Sequence, residues 1–169
     1  MLQNITVRKI IAEDWELYKE MRLQALKSLP IAFWSSYEEA EKFSDEEWIK
    51  RATPSTAITY WIFVDNEIAW MAWWKFSKKQ KVAHVATIRW VFVKEQYRWK
   101  WYALKLLEST LEDIESYWSY KKVSLMVNAE QIAAIKFYKK LWFVEVGRLK
   151  NELFYDDVYY DELVMEYYL

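Results

Sequence analysis

Glycine is almost missing from this chain. Its 169 residues hold one, Gly147, where an average usage near 7% would supply about 12. Cysteine is absent altogether, which excludes disulfides, thiolate metal sites and a cysteine nucleophile. The two prolines, Pro30 and Pro54, mark breaks, since each removes a donor and pushes the residue before it out of helix. Neither sign of charge dominates. With 24 basic and 25 acidic residues the net charge is −1, which exerts no pull toward nucleic acid or an anionic membrane. No apolar run approaches the roughly 20 residues needed to cross a bilayer, 68–74 being among the longest. Residues 1–8 lack the apolar stretch of a signal peptide. Repeats, low-complexity segments and linkers are missing too, so the expectation is one soluble, cytoplasmic domain spanning 1–169.

What is present reads as alternating strands and helices. Residues 5–10 form an apolar, β-branched first strand, and Ala12-Glu13-Asp14 leads into a helix with Leu17, Met21, Leu23 and Leu26 on its apolar side. Pro30 ends that helix. A loop at 32–37 follows, then Ser44-Asp45-Glu46-Glu47, a capping box opening a second helix through Arg51. The runs 57–64 and 67–76 flank Asp65-Asn66, a tight hairpin signal. A third strand is expected over 82–93, a helix over about 99–117, a buried strand over 121–127, a helix opened by a capping box at 128–131, and a strand pair, 143–146 with 158–168, around 151–157.

The junction Val91-Phe92-Val93-Lys94-Glu95-Gln96-Tyr97-Arg98-Trp99-Lys100-Trp101-Tyr102-Ala103 passes from a strand through a basic turn into a helix. The first turn of a helix presents unpaired N–H groups and the positive end of its dipole, so such a junction suits an anion. Its pattern Gln96-x-x-Trp99-x-Trp101-x-Ala103 resembles the coenzyme A pyrophosphate loop of the GNAT N-acetyltransferase superfamily, Gln/Arg-x-x-Gly-x-Gly/Ala, with tryptophan at both glycine positions. A second segment, Asn128 through Tyr138 to Leu141-Trp142-Phe143, resembles that family's Asn-x-x-Ala-x-x-x-Tyr-x-x-x-Gly-Phe, with a loose alanine register. The element order β-α-α-β-β-β-α-β-α-β-β is also that of the family and covers essentially the whole chain. The implied fold is α+β, a mixed, mostly antiparallel sheet of about seven strands flanked by about four helices.

The resemblance explains the missing glycine. Of 12 tryptophans, Trp15 and Trp48 stand at ordinary helix starts. The other ten, Trp34, Trp61, Trp70, Trp73, Trp74, Trp90, Trp99, Trp101, Trp118 and Trp142, stand where glycine is expected. Glycine serves a phosphate loop because it tolerates positive φ and lets the backbone approach the ligand; tryptophan does neither. Ten such replacements, at roughly 1 to 3 kcal/mol of overpacking each, exceed a typical stability of about 5 to 15 kcal/mol. A codon translated as tryptophan but read as glycine in the source would produce the pattern. Glycine at these ten positions of the natural protein is therefore the expectation, and a chain with tryptophan at 99 and 101 is expected not to close on a pyrophosphate.

For the site, the resemblance implies that acetyl-CoA lies along Val91, Phe92 and Val93, its pantetheine amides pairing with the strand as an added strand would. Its pyrophosphate would meet Gln96, Arg98, Trp99, Lys100, Trp101, Tyr102 and Ala103. Arg98 and Lys100 could equally be solvated, although cations at a helix N-terminus oppose its dipole. Asn128 is a further coenzyme contact or simply a helix cap. Tyr138 resembles the residue that protonates the leaving thiolate, the plainer reading being a core aromatic beside Phe137. Acceptor contacts are expected from Phe33, Ser35, Ser36 and Tyr37 in the loop after the first helix, and from Tyr155, Tyr159, Tyr160 and Asp161 in the final strand pair. Aromatic walls with an acid suit a cationic amine. The general base is unassigned, because Thr87 stands about where many members carry an acid; His84, Glu67, Glu38 and Asp161 are the candidates.

The implied activity moves an acetyl group from acetyl-CoA to a primary amine of a small molecule or peptide, by direct attack in a ternary complex. No metal, membrane or nucleic acid is expected, and a homodimer stays open beside a monomer. Two other readings remain: a non-catalytic acyl-CoA sensor on the same fold, and a single-strand nucleic-acid platform in the basic and aromatic segment 97–102.

Overall fold

In the computed structural model, which describes residues 4–65, 67–97, 102–117 and 119–169 and only the backbone of Tyr102, one seven-stranded sheet runs in the order β1-β2-β3-β4-β5-β7-β6. The strands are β1 (Ile5–Lys9), β2 (Ala57–Val64), β3 (Glu67–Lys75), β4 (Val85–Val93), β5 (Lys122–Asn128), β6 (Val144–Tyr155) and β7 (Val158–Tyr168). The helices are α1 (Trp15–Ser28), α2 (Tyr37–Ala40), α3 (Asp45–Ala52), α4 (Tyr102–Glu115) and α5 (Ile132–Lys140). All neighbouring strands pair antiparallel except β4 and β5, which are parallel. The expected α+β sheet and strand order are therefore present, with one short helix, α2, added to the expected order.

Period-two alternation divides the sheet residues between two cores. One face packs Ile62, Ile88, Val123, Leu125, Val127, Leu163 and Met165 against Leu106, Leu107, Leu111 and Ile114 of α4 and Ile135 and Tyr138 of α5. The other packs Trp61, Met71 and Phe92 against Tyr18, Met21, Ala25 and Leu26 of α1 and Trp48 of α3.

Two irregularities shape the centre of this sheet. Ile62 pairs with Trp70 but Phe63 with Ile68, leaving Ala69 as an extra residue on β3. Likewise Trp73 pairs with Trp90 but Trp74 with Ile88, which leaves Arg89 as a bulge on β4. A bulge shifts the alternation by one residue and bends the strand. Accordingly Ile88 lies in the α4 and α5 core, whereas Trp90 and Phe92 pack toward α1.

Several expected boundaries move. The third strand starts at Val85 rather than 82, because 80–82 closes a 3₁₀ turn in which Lys79 O accepts from Val82 N. The final pair is much longer than expected: β6 runs to Tyr155 across a register shift between Leu149 and Leu153, and the turn is only Asp156-Asp157. Ser44 does cap α3 by accepting from Glu47 N, but Glu47 turns its carboxylate to Arg51 instead of completing the box. A full capping box appears where a loop was expected, Ser36 with Glu39 at the start of α2. Asn128 caps nothing: it ends β5, Gln131 occupies the N-cap of α5, and the expected box at 128–131 is replaced by a turn in which Asn128 Oδ1 accepts from Glu130 N.

Candidate active site

The bulge at Arg89 opens a seam. β4 and β5 pair over only four positions, from Val85 with Lys122 to Ile88 with Leu125. Beyond them β4 stays on β3, with Val91 opposite Ala72 and Val93 opposite Trp70, while β5 stays on β7 through Asn128. The backbone of 89–93 therefore faces a gap on its β5 side, which is what an extended ligand chain needs in order to add as a strand. Val91 and Val93 are half-buried toward α4 and α5, but Phe92 is buried in the α1 core, so a contact from Phe92 would be through its backbone.

The seam has a distinct group on each side. On the α4 and α5 side, Tyr138 packs edge-on against Phe143 at 5.8 Å and tilted to Phe137 at 5.8 Å, in the same core as Val91, Val93 and Val127. Burial pushes its hydroxyl pKa well above the ordinary tyrosine value, so Tyr138 keeps its proton throughout the neutral range and has it to donate. The 3₁₀ turn Glu95–Tyr97 carries Gln96 at the surface and buries Tyr97, whose hydroxyl donates to Glu67 Oε2 at 3.2 Å. Ala103 sits in the first turn of α4, packed on the core. Arg98, Trp99, Lys100 and Trp101 lie outside the described residues, as does most of the nucleic-acid candidate 97–102.

On the α1 side lies a groove of about 370 Å³, walled by Phe33, Trp34, Ser35, Ser36, Tyr37 and Glu38 and, from β6, by Leu153, Phe154 and Tyr155. The structure thus brings together the two segments expected to meet the acceptor. Tyr160 pairs with Leu153 of this wall. Asp161 does not join it: its carboxylate accepts from Arg148 Nε at 2.7 Å and from Asn151 N at 2.9 Å, bracing the β6–β7 hairpin. Asn128 ties the groove to β5 by donating from Nδ2 to Ile31 O at 3.1 Å, so both ends of its amide are engaged. Of the base candidates, Glu38 borders the groove, Glu67 receives Tyr97, and His84 precedes β4.

Glu162 belongs to no motif in the sequence. It is 4% exposed, on β7 directly opposite Asn128, and Trp34 Nε1 donates to its Oε2 at 3.0 Å. Desolvation raises its pKa, with Trp34 and Arg89 acting in the opposite direction. A charged residue at the head of the apolar run Leu163-Val164-Met165 is the one signal, and it gains meaning only once the register assigns each face.

Tryptophan at the glycine-like positions leaves marks here. Trp142 adopts φ 66 and is 81% exposed. The indole N–H groups of Trp61 and Trp74 are buried without a hydrogen-bond partner among the described residues, as is that of Trp48. Trp90 presses on the buried Arg22, whose guanidinium carbon lies 3.0 Å from the ring centroid.

Comparison with known proteins agrees with this architecture. The sequence model of the Acetyltransferase (GNAT) family matches residues 15–143. Similar solved structures include an acetyltransferase of the GNAT family from Streptococcus pneumoniae, at TM-score 0.81 and 20% identity over 98% of this chain and 99% of that one. Arabidopsis thaliana NAA60 in complex with acetyl-CoA is similar at TM-score 0.78 and 16% identity over 98% and 99% of the two chains. The ribosomal-protein-alanine N-acetyltransferase from Brucella melitensis is similar at TM-score 0.79 and 16% identity over 97% and 99%. No curated protein matches the sequence. Among the described residues no helix is long and apolar enough to cross a membrane, and no three His, Cys, Asp or Glu side chains gather as a metal site would need. A family match over most of the chain, on a sheet split at its parallel pair, makes this protein a member of the GNAT acetyltransferase family.

Proposed function

We propose that the protein transfers the acetyl group of acetyl-CoA to a primary amine, bound in the groove between the α1–α2 loop and the β6–β7 hairpin, by direct attack in a ternary complex. The observation that carries the reading is the seam: β4 leaves β5 after Ile88 and Leu125, with a buried tyrosine on one side and a walled groove on the other. In this arrangement the backbone near Val91 and Val93 receives the pantetheine, and Gln96, Arg98, Lys100 and the N-terminus of α4 receive the pyrophosphate. Tyr138 donates a proton to the departing sulfur. Phe33, Ser35, Tyr37 and Tyr160 frame the acceptor. The reading concerns the natural polypeptide, with glycine at 99 and 101, since indoles there would occupy the space the phosphates need.

Free thiol released from acetyl-CoA, measured with simple amines, polyamines and short peptides, tests this. Amine-dependent release is expected. Tight acetyl-CoA binding without release on any acceptor would replace the enzyme by a sensor.

A further inference from the structure

We infer that Glu162 is the residue that receives the acceptor's ammonium group and takes its proton, so that the acceptor is a cationic primary amine. The inference rests on the acetyltransferase reading above and assigns the base which that reading leaves open.

Only two carboxylates are buried among the described residues, Asp14 and Glu162. Asp14 is engaged by Arg8 and by Ile11 N. Glu162 has no ion pair among the described residues, and its hydrogen bond comes from Trp34, a groove-wall residue at a glycine-like position. That indole N–H, 3.0 Å from Oε2, marks where a donor from the groove stands. With glycine at 34 the carboxylate would lose that hydrogen bond and keep only the field of Arg89, and a buried carboxylate without a hydrogen-bond donor calls for one.

The faces of the sheet separate base from acid. Leu163 and Met165 point to the α4 and α5 core, so Glu162 points to the opposite face, toward the α1–α2 loop that carries Trp34 and Ile31. Tyr138 belongs to the α4 and α5 core. The two groups thus approach the seam from opposite sides of the sheet. Glu162 is one strand removed from the gap, a spacing of about 4.8 Å, so an amine on its carboxylate stands between it and the gap, or one water bridges them.

The proton count closes. Glu162 takes one proton from R–NH₃⁺, the freed lone pair forms the C–N bond at the thioester carbonyl, and the C–S bond breaks with its electron pair on sulfur. Tyr138 gives its proton to sulfur and regains one from the new amide nitrogen through solvent. Glu162 then releases its proton, leaving an acetamide, a free thiol and one H⁺. Arg89 from β4 and Glu152 from β6 face Glu162 electrostatically, and Lys27 and Glu38 border the groove. Arg89 favours the carboxylate and Glu152 opposes it.

The test compares the natural protein with Glu162→Gln, which keeps an acceptor for a groove donor, using thiol release with spermidine, lysine methyl ester and a peptide bearing a free alanine N-terminus. Expected are a fall of about 10²-fold or more in kcat/KM for the amine, unchanged acetyl-CoA affinity, and loss of an acid limb that the unsubstituted protein shows above the ordinary glutamate range. Glu162→Asp should restore part of the rate. Wild-type kcat/KM in Glu162→Gln, or an unsubstituted protein without an acid limb, overturns the assignment and leaves the acetyltransferase reading standing. An unsubstituted protein that releases thiol with none of the three amines overturns both.

Discussion

Replacing Trp142 by glycine should stabilise the protein, although tryptophan is the larger hydrophobe. α5 ends with Leu141 at its C-cap, Trp142 follows at φ 66, and two hydrogen bonds close the end: Trp142 N to Lys139 O at 3.2 Å and Phe143 N to Tyr138 O at 3.1 Å. This is the Schellman arrangement, completed by contact between the rings of Phe143 and Tyr138. Its left-handed residue is glycine by preference, because a Cβ there costs about 1 to 2 kcal/mol. The indole returns little, being 81% exposed. Glycine's greater freedom in the unfolded chain takes back roughly 0.5 to 1 kcal/mol. The net gain is about 0.5 to 1 kcal/mol, or roughly 1 to 4 °C in Tm for a chain of this size. Thermal unfolding followed by circular dichroism reads it, with Trp142→Ala as the control that keeps the strained Cβ and should gain nothing. A Tm for Trp142→Gly at or below that of the parent would refute the argument, and with it the strongest structural sign that this position belongs to glycine.

Tyr138→Phe should lower kcat by about 10²-fold while leaving acetyl-CoA affinity in place, as read by steady-state thiol release beside calorimetric binding. Asp14 provides a pH dependence: hydrogen bonds from Arg8, at 2.6 and 2.8 Å, and from Ile11 N hold its carboxyl pKa below the ordinary value. The ionised form is therefore favoured by folding, so this stabilisation is complete above the unfolded carboxylate range near pH 4 and is lost as pH falls through the lower folded value. Urea midpoints between pH 7 and pH 3 should show Asp14→Asn less stable by about 1 to 2 kcal/mol at neutral pH and with a flatter acid slope; parallel curves would count against the pair. The intact mass of the natural protein should fall below 20.8 kDa by ten tryptophan-to-glycine differences, and agreement with 20.8 kDa would end the recoding idea.

The fold was legible because it rests on local signals, period-two and helical patterns and the Asp65 hairpin, whereas the expected coenzyme loop from Gln96 to Ala103 lies partly outside the described residues. The groove was legible only in part. Phe33, Ser35 and Tyr37 could be placed from their loop, but the β6–β7 hairpin brings Leu153 to Tyr155 against them only because the strands run on past Asn151 through a register shift, which no turn residue announces. Asp161 and Glu162 differ by one position in sequence. Register alone decides which meets Trp34 of the groove wall and which braces the hairpin, since a one-residue step in a strand changes the face. The same holds for Arg89, whose bulge is a property of the pairing with β3 and not of its own side chain.

Acetyl transfer is proposed to run through the seam between β4 and β5. Incubating the natural protein with acetyl-CoA and a cationic primary amine such as spermidine, and following product by mass spectrometry, tests it most directly. One acetylated amine per thiol released is the predicted result. Acetyl-CoA bound by the protein and recovered intact, with every amine unmodified, would contradict it.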